Sequence, residues 1–213
     1  METTYKNLGY VFLLFIPLTF IAFYKTYFGL FPNFEEGITS LTHLHALVAS
    51  IWIGMLIAQP ILIKNKQFAW HKRIGKWSYF IFPLLILTFI SQMGKGYAAH
   101  GFKGIYFPLA DSILLVTFYT LAVLNKKKTP KHMRFMIGAA IVFLGPTIGR
   151  IGPILLGLSI GLTQNLQYTI IYLILLGLVI LDRKKNRDFK PYLFIGGMWL
   201  LHQIAFNLLF FVF

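Results

Sequence analysis

Residues 41–63 read LTHLHALVASIWIGMLIAQPILI, and residues 64–76 that follow read KNKQFAWHKRIGK. The first stretch contains no Lys, Arg, Asp or Glu, whereas the second contains five Lys or Arg residues. A helix of about 20 apolar residues spans the roughly 30 Å hydrocarbon core of a bilayer. These two stretches therefore predict a membrane-spanning helix that ends in a basic loop.

The composition extends this interpretation to the whole chain of 213 residues. Hydrophobic residues make up 57% of it, charged residues 12%, and the mean hydropathy is +0.70. Such a chain has too little polar surface to cover a water-soluble globule. With no cysteine, it cannot form disulfides, Cys-ligated zinc sites, iron–sulfur clusters or covalent c-type haem attachments. We predict one integral membrane domain over residues 1–213.

Seven apolar runs divide the chain, which predicts an all-α polytopic bundle of about seven transmembrane helices. The segment 151–164, broken by Pro153 and three glycines, is predicted to be a short helix or re-entrant stretch rather than an eighth span. Gly145 and Gly149 form a GxxxG pattern, which favours close contact between helices. The predicted spans lie near 8–30, 41–63, 75–94, 105–124, 133–150, 165–181 and 191–212.

The distribution of Lys and Arg predicts the orientation of the spans. Three alternate connections hold five basic residues each: 64–76, 125–134 and 183–190. The connections on the opposite side together hold three: Lys95, Lys103 and Arg150. By the positive-inside rule, the basic loops and the N-terminus are cytoplasmic. Because orientation accounts for the net charge of +14, we expect lipid contacts and no nucleic-acid binding.

Polar residues inside predicted spans are candidates for function, because an ionisable group is costly in hydrocarbon. One hypothesis is structural: Asp111 pairs with Arg150, and polar residues of the last span join helices by hydrogen bonds. The other is a cofactor-free transporter of protons or small molecules, or a lipid-binding protein, in which Asp111, Arg150, His45 and His202 line a polar cavity and His45 or Asp111 relays protons. The intramembrane polar residues are His45, Gln59, Asp111, Arg150, His202 and Gln203.

Two His-x-Arg pairs, His71/Arg73 and His132/Arg134, stand 61 residues apart at the entries of predicted spans 3 and 5. Cations at a helix N-terminus oppose the helix dipole, so a phosphate, carboxylate or lipid headgroup would complete such a corner. Alternatively, the arginines only signal orientation. A third interpretation, which we favour over a cofactor-free role, is haem b, with His71 and His132 as axial ligands, Arg73 and Arg134 as propionate partners, and His45 as an outer ligand or proton carrier.

This arrangement resembles cytochrome b561 and the ferric-reductase-like membrane proteins, whose cores carry His pairs at both membrane faces. The resemblance implies haem-dependent electron transfer through predicted spans 2–5, although Asp111 stands where the outer pair would need a histidine. The chain also resembles uncharacterised bacterial multi-pass inner-membrane proteins, which implies an inner-membrane location. The residues that carry this second resemblance are His45-Ala46-Leu47, Trp70-His71-Lys72-Arg73-Ile74-Gly75, Asp111, His132-Met133-Arg134, Arg150 and Asp182.

The sequence motifs of other kinds of functional site are absent from the chain. The chain has no P-loop, no dinucleotide fingerprint and no HExxH, so we predict no metal site and no cofactor other than haem. The sequence does not indicate whether the protein is an enzyme or which residues would be catalytic. As the chain is short for an inverted-repeat carrier, a transport role would require an oligomer.

Overall fold

Every regular element is helical in residues 2–34 and 38–212, which are the residues that the computed structural model describes. The prediction of an all-α chain is confirmed. Short 3₁₀ turns occupy Thr3–Tyr5 and Phe28–Leu30, and π-helical turns occupy Ile151–Leu155 and Leu208–Val212. The α-helices are α1 (Leu8–Phe12), α2 (Phe15–Phe23), α3 (Ser40–Lys64), α4 (Phe68–His100), α5 (Phe102–Leu124), α6 (Thr129–Ile141), α7 (Leu144–Arg150), α8 (Ile160–Lys184) and α9 (Lys190–Asn207).

Six helical segments are long and apolar enough to cross a membrane, which supports a multi-pass membrane protein. The apolar helix at Leu8–Phe23 is shorter. At 1.5 Å per residue it extends roughly 24 Å, less than the hydrocarbon core. The seventh span, predicted at 8–30, therefore stays a prediction. The six segments are Ser40–Lys64, Phe68–His100, Phe102–Leu124, Thr129–Leu155, Ile160–Lys184 and Lys190–Val212.

The second of these segments is longer than predicted. The sequence places the span at 75–94, whereas α4 covers Phe68–His100 and includes the basic stretch with His71 and Arg73. A helix of this length extends roughly 50 Å, so both ends project beyond a bilayer core. Its basic N-terminal turns are therefore helical rather than part of a loop.

The segment 151–164 forms no eighth span among the described residues, as predicted, but the prediction of a separate short helix or re-entrant stretch is wrong. Residues Ile151–Leu155 continue the preceding span as a π-helical turn, and α8 begins at Ile160. Gly157 takes φ +64° between them, a left-handed conformation that suits glycine where a helix ends. The segment is thus the end of one span, a short turn and the start of the next.

The chain packs as two compact units, residues 1–99 (unit 1) and 100–213 (unit 2). In unit 1, α1 packs on α3, where a Cβ on Gly9 would lie 2.4 Å from Ile61 Cγ1. The Trp52 and Phe82 rings join α3 to α4 at 5.1 Å between centroids. The close packing of α1 on α3 therefore depends on residue 9 being a glycine, which has no side chain.

In unit 2, α5 packs on α6 and α9, and α8 packs on α7 and α9. The buried core includes Leu115, Phe118 and Ile171. Large apolar side chains on the same helices, such as Leu173 and Leu201, are exposed. An apolar exterior around a packed interior is what a helix bundle in lipid requires.

Candidate functional site

Three helices of unit 2 bring together a carboxylate, an imidazole and a phenol. The Asp111 Oδ1 atom on α5 lies 3.6 Å from His202 Nε2 on α9. The Tyr168 hydroxyl on α8 lies 2.9 Å from His202 Nδ1. The exposed fractions are 7% for Asp111, 5% for His202 and 1% for Tyr168. These residues form a buried line, Asp111–His202–Tyr168, at the end of unit 2 where α5 and α8 begin.

A second tyrosine contacts the same histidine. The Tyr106 hydroxyl donates its proton to the His202 carbonyl oxygen at 2.5 Å, and its oxygen lies 3.3 Å from His202 Nδ1. Because an ionised carboxylate only accepts, the His202 nitrogen that faces Asp111 carries the ring proton. In the neutral ring, Nδ1 then accepts from Tyr168. The Nε2–H tautomer of His202 is therefore the one that matches an ionised Asp111.

Aromatic rings surround the imidazole. Trp199 lies 5.1 Å from the His202 ring between centroids, Tyr106 lies 5.2 Å away and Tyr168 5.7 Å. Trp199 is fully buried, as is Phe206, which contacts both tyrosine rings. The rings keep bulk water away and so strengthen electrostatic interactions inside.

A glycine-lined face of the fourth long segment packs against the line from the other side. A Cβ on Gly145 would lie 3.3 Å from Asp111 Oδ2 and 3.6 Å from Gln167 Nε2. A Cβ on Gly149 would lie 3.5 Å from Gln164 Nε2. The GxxxG pattern thus serves close packing, as predicted, and the surfaces that it meets are a carboxylate and two amides.

Arg150 follows this glycine face directly. Its guanidinium donates to the Pro146 carbonyl at 3.1 Å, and it interacts electrostatically with Asp111. Asp111 therefore interacts with two cationic or potentially cationic groups, Arg150 and His202. The sequence pointed to Arg150 as its cationic partner and placed His202 in the same polar cavity, but it did not identify Tyr168.

Five buried side-chain atoms near the line have no hydrogen-bond partner among the described residues, and one of these atoms, His202 Nε2, faces the Asp111 carboxylate at 3.6 Å. Buried polar atoms are paired in most folded proteins, so five such atoms in one place are a notable feature of unit 2. The residues of this region are named the polar cluster from here on: Tyr106, Asp111, Arg150, Thr163, Gln164, Gln167, Tyr168, Trp199 and His202. The unpartnered atoms are Thr163 Oγ1, Gln164 Oε1, Gln167 Oε1, Trp199 Nε1 and His202 Nε2.

The opposite end of unit 2 holds an ion pair that the sequence did not indicate. Arg134 Nε lies 2.7 Å from Asp182 Oδ2, and both side chains are 0% exposed. Arg134 also donates to the Pro130 carbonyl at 2.9 Å. Arg134 was predicted as a haem-propionate partner, and the structure gives it a carboxylate partner within the chain. The available signal was Asp182, an acid within a basic tract of a chain with six acidic residues.

A backbone carbonyl determines which ring nitrogen of His132 carries a proton. Its Nδ1 lies 2.8 Å from the Ala122 carbonyl oxygen, and a carbonyl only accepts, so Nδ1 carries the proton. The neutral ring then holds its lone pair on Nε2, the orientation that ligating histidines commonly show.

The remaining predicted site residues lie in unit 1, apart from Gln203. Gln59 donates to the His71 carbonyl at 3.2 Å, and the Arg73 guanidinium lies 5.2 Å from the Trp70 ring centroid. The Thr88 hydroxyl donates to the Leu85 carbonyl at 2.6 Å, so it accepts from His45 Nδ1 at 2.8 Å. Haem ligation by His71 and His132, and a cavity that includes His45, stay predictions.

Gln203 joins two helices of unit 2. Its side-chain carbonyl accepts from the Tyr172 hydroxyl at 2.8 Å, which links α9 to α8. This hydrogen bond fits the structural hypothesis for the polar residues of the last span.

Residues 157–161, Gly-Leu-Ser-Ile-Gly, match the Gly-x-Ser-x-Gly pattern of serine hydrolases. In those enzymes the serine follows a strand on a sharp turn. Here Ser159 is the N-cap of α8, and its hydroxyl accepts from the Leu162 backbone N–H at 3.2 Å. The serine therefore caps a helix and is not placed as a nucleophile.

No group of three or more His, Cys, Asp or Glu residues that could hold a metal ion occurs within 2–34 and 38–212. Comparison with known proteins found no matching family model, curated protein or solved structure.

Proposed function

We propose that this protein carries protons, together with a small polar solute, across a bacterial inner membrane through unit 2. The observation that supports the proposal is the buried line Asp111–His202–Tyr168, a set of titratable groups within an apolar helix bundle. Ionisable residues among membrane helices mark proton relays and substrate paths far more often than elsewhere. The polar cluster is then the site where the solute and the proton meet.

Proton uptake at Asp111 would change the site in a defined way. The protonated carboxyl no longer attracts the His202 Nε2–H, and it no longer balances the charge of Arg150. His202, with Tyr168 on its other nitrogen, can exchange a proton with Asp111 through its ring. Protonation therefore alters both charge and hydrogen bonding beside the unpartnered atoms, which is how a proton can be coupled to a solute.

The two ends of unit 2 differ in a way that favours this role. The Arg134–Asp182 pair has the short contact of a structural ion pair, 2.7 Å, and a further bond to a backbone carbonyl. The Asp111–His202 contact is longer, 3.6 Å, and unpartnered atoms surround it. A cluster that served only to join helices would be expected to satisfy its own hydrogen bonds.

The membrane arrangement is part of the proposal. The Leu8–Phe23 helix forms a short seventh span, the N-terminus is cytoplasmic, and the basic ends of the helices contact anionic lipid headgroups. The polar cluster then lies in the outer half of the bilayer, and the Arg134–Asp182 pair lies near the cytoplasmic face.

Proton uptake into liposomes tests the function. The purified protein is reconstituted with a pH-sensitive dye inside, and an inward proton gradient is imposed with the membrane potential clamped. Wild-type protein should acidify the lumen, and Asp111→Asn and His202→Gln should reduce the rate to that of protein-free liposomes. Asp188→Asn, which removes an exposed carboxylate 3.5 Å from Lys131, is the control and should keep the wild-type rate. Equal rates in Asp111→Asn and wild type would refute the proton role.

Haem b is a second candidate, favoured by the orientation of His132. A reduced-minus-oxidised visible spectrum of protein purified in mild detergent should show haem bands that disappear in His71→Ala and His132→Ala. They should remain in His43→Ala, because His43 bonds to the Tyr27 hydroxyl at 2.8 Å and is not a predicted ligand. A folded, colourless wild-type preparation would reject this candidate.

A further inference from the structure

We infer that the solute held by the polar cluster is uncharged and carries both donors and acceptors of hydrogen bonds, as small amides and polyols do. This inference rests on the proposed function and names the class of solute for the same site. It draws on three features of the cluster: its unpartnered atoms, its charge balance and its mixture of donors and acceptors.

The unpartnered atoms indicate that the cluster is incomplete without an occupant. All five belong to residues that are at most 5% exposed, on α8 and α9. A buried polar group without a partner destabilises the folded protein. The glycine face of the neighbouring segment brings backbone within reach of Gln164 and Gln167 but offers no side chain to bond them. An occupant that bonds several of these atoms at once removes a large penalty.

The charged groups beside the line favour an uncharged occupant. The Asp111 carboxylate lies 3.6 Å from His202 Nε2, and its charge also interacts with that of Arg150. An anion would compete with Asp111 for Arg150, and a cation would compete with Arg150 for Asp111. Either would leave one buried charge without its partner, which is costly in a medium of low dielectric constant. A neutral solute leaves the pair intact.

The mixture of hydrogen-bond donors and acceptors in the polar cluster narrows the class of solute further. The oxygens of Thr163, Gln164 and Gln167 call for N–H or O–H groups on the solute, and the Trp199 indole N–H calls for an oxygen. A carboxylate has only acceptors, and an ammonium or guanidinium has only donors. An amide or urea combines N–H groups with a carbonyl oxygen, and a polyol combines both functions in each hydroxyl.

Paired probes of similar shape and different charge test the inference. Stopped-flow light scattering follows the swelling of proteoliposomes with urea, glycerol, guanidinium or methanesulfonate outside, and with the membrane potential clamped. We expect urea or glycerol to enter faster than into protein-free liposomes, and guanidinium and methanesulfonate to enter at the protein-free rate. Osmotic shrinkage in sucrose measures water flux alone.

Leucine variants connect this flux to the cluster. Gln164→Leu and Gln167→Leu each remove a side-chain carbonyl that lacks a partner, and each should slow urea or glycerol entry about fivefold, the equivalent of about 1 kcal/mol for one hydrogen bond. Gln203→Leu is the control, because that carbonyl already accepts from Tyr172, and it should retain the wild-type flux. Thermal unfolding in detergent establishes that all three variants are folded.

The possible results separate the inference from the proposed function. Faster entry of guanidinium or methanesulfonate than of the neutral probes overturns the inference, as does water flux with no neutral solute flux, or no flux of any probe. If protons are still taken up in those cases, the proposed function stands alone. Neutral flux that is lost in Gln167→Leu but is unaffected by Asp111→Asn supports the solute class and refutes coupling to protons.

Discussion

At the scale of single residues, Asp111 shows which features of the site can be predicted from the sequence. Its position inside an apolar run predicted an intramembrane functional residue in need of a cationic partner. The sequence also grouped His202 with Asp111 in one polar cavity, and the structure adds a direct contact between these two residues, which are 91 positions apart in the chain. Helical periodicity tells which residues share a face of one helix, but not which helices become neighbours. The contact with His202 therefore could not be predicted, whereas the importance of Asp111 could.

Arg134 and Asp182 give a prediction about stability at the same scale. Arg134→Met leaves the buried Asp182 carboxylate without its partner and should destabilise unit 2 by about 3–5 kcal/mol. The double variant Arg134→Met, Asp182→Leu should recover most of this loss, because it removes both charges. Thermal unfolding in detergent measures both effects.

The exposed ion pair nearby is the matched control. Lys131 lies 3.5 Å from Asp188, and their side chains are 44% and 35% exposed. Lys131→Gln should change stability by no more than about 1 kcal/mol, because exposed pairs contribute little. A loss in Arg134→Met as small as the loss in Lys131→Gln would mean that the buried pair is not a structural element.

At the scale of helices, the sequence predicted where apolar segments lie better than where helices begin and end. The run at 105–124 agrees with α5, Phe102–Leu124, because Gly101 and Asn125 bound it. The run at 75–94 falls short of α4, Phe68–His100. Hydropathy detects the part of a helix that matches the bilayer core, and polar turns that extend the same helix escape it. A predicted span therefore ends where the sequence becomes polar, which need not be where the helix ends.

Gly138 allows a prediction about helix packing. A Cβ on Gly138 of α6 would lie 2.7 Å from Ile195 Cδ1 of α9, so Gly138→Ala should force the fully buried Ile195 side chain to shift and cost about 1–3 kcal/mol. Gly177→Ala should be neutral or stabilise by up to about 1 kcal/mol, since no atom lies within 4 Å of its Cβ position and alanine favours helix. Thermal unfolding compares the two variants. Equal midpoints would show that α6 and α9 do not pack as described.

At the scale of the whole molecule, the short apolar helix at Leu8–Phe23 determines on which side of the membrane the N-terminus lies. Six crossings by the helices from α3 to α9, with the basic loops in the cytoplasm, put the C-terminus outside. The Leu8–Phe23 helix then decides the N-terminus, which is cytoplasmic if this helix crosses and external if it does not. Charge counting predicts the sides of the loops from the sequence. It does not show whether a short helix spans.

Single-cysteine labelling resolves this, because the chain has no cysteine of its own. A cysteine at Lys127 or Arg187 should react with an impermeant maleimide only after the membrane is permeabilised. A cysteine at Lys6 should behave in the same way. Labelling of the Lys6 position in intact cells would reduce the fold to six spans, and labelling of the Lys127 position would reverse the orientation.

The central claim is that Asp111 takes up and releases a proton inside unit 2. Infrared difference spectroscopy of the reconstituted protein between high and low pH measures the carboxyl groups directly. The account predicts a band of a protonated carboxyl in a non-aqueous environment that disappears in Asp111→Asn and persists in Asp182→Asn. A band that survives in Asp111→Asn would contradict it.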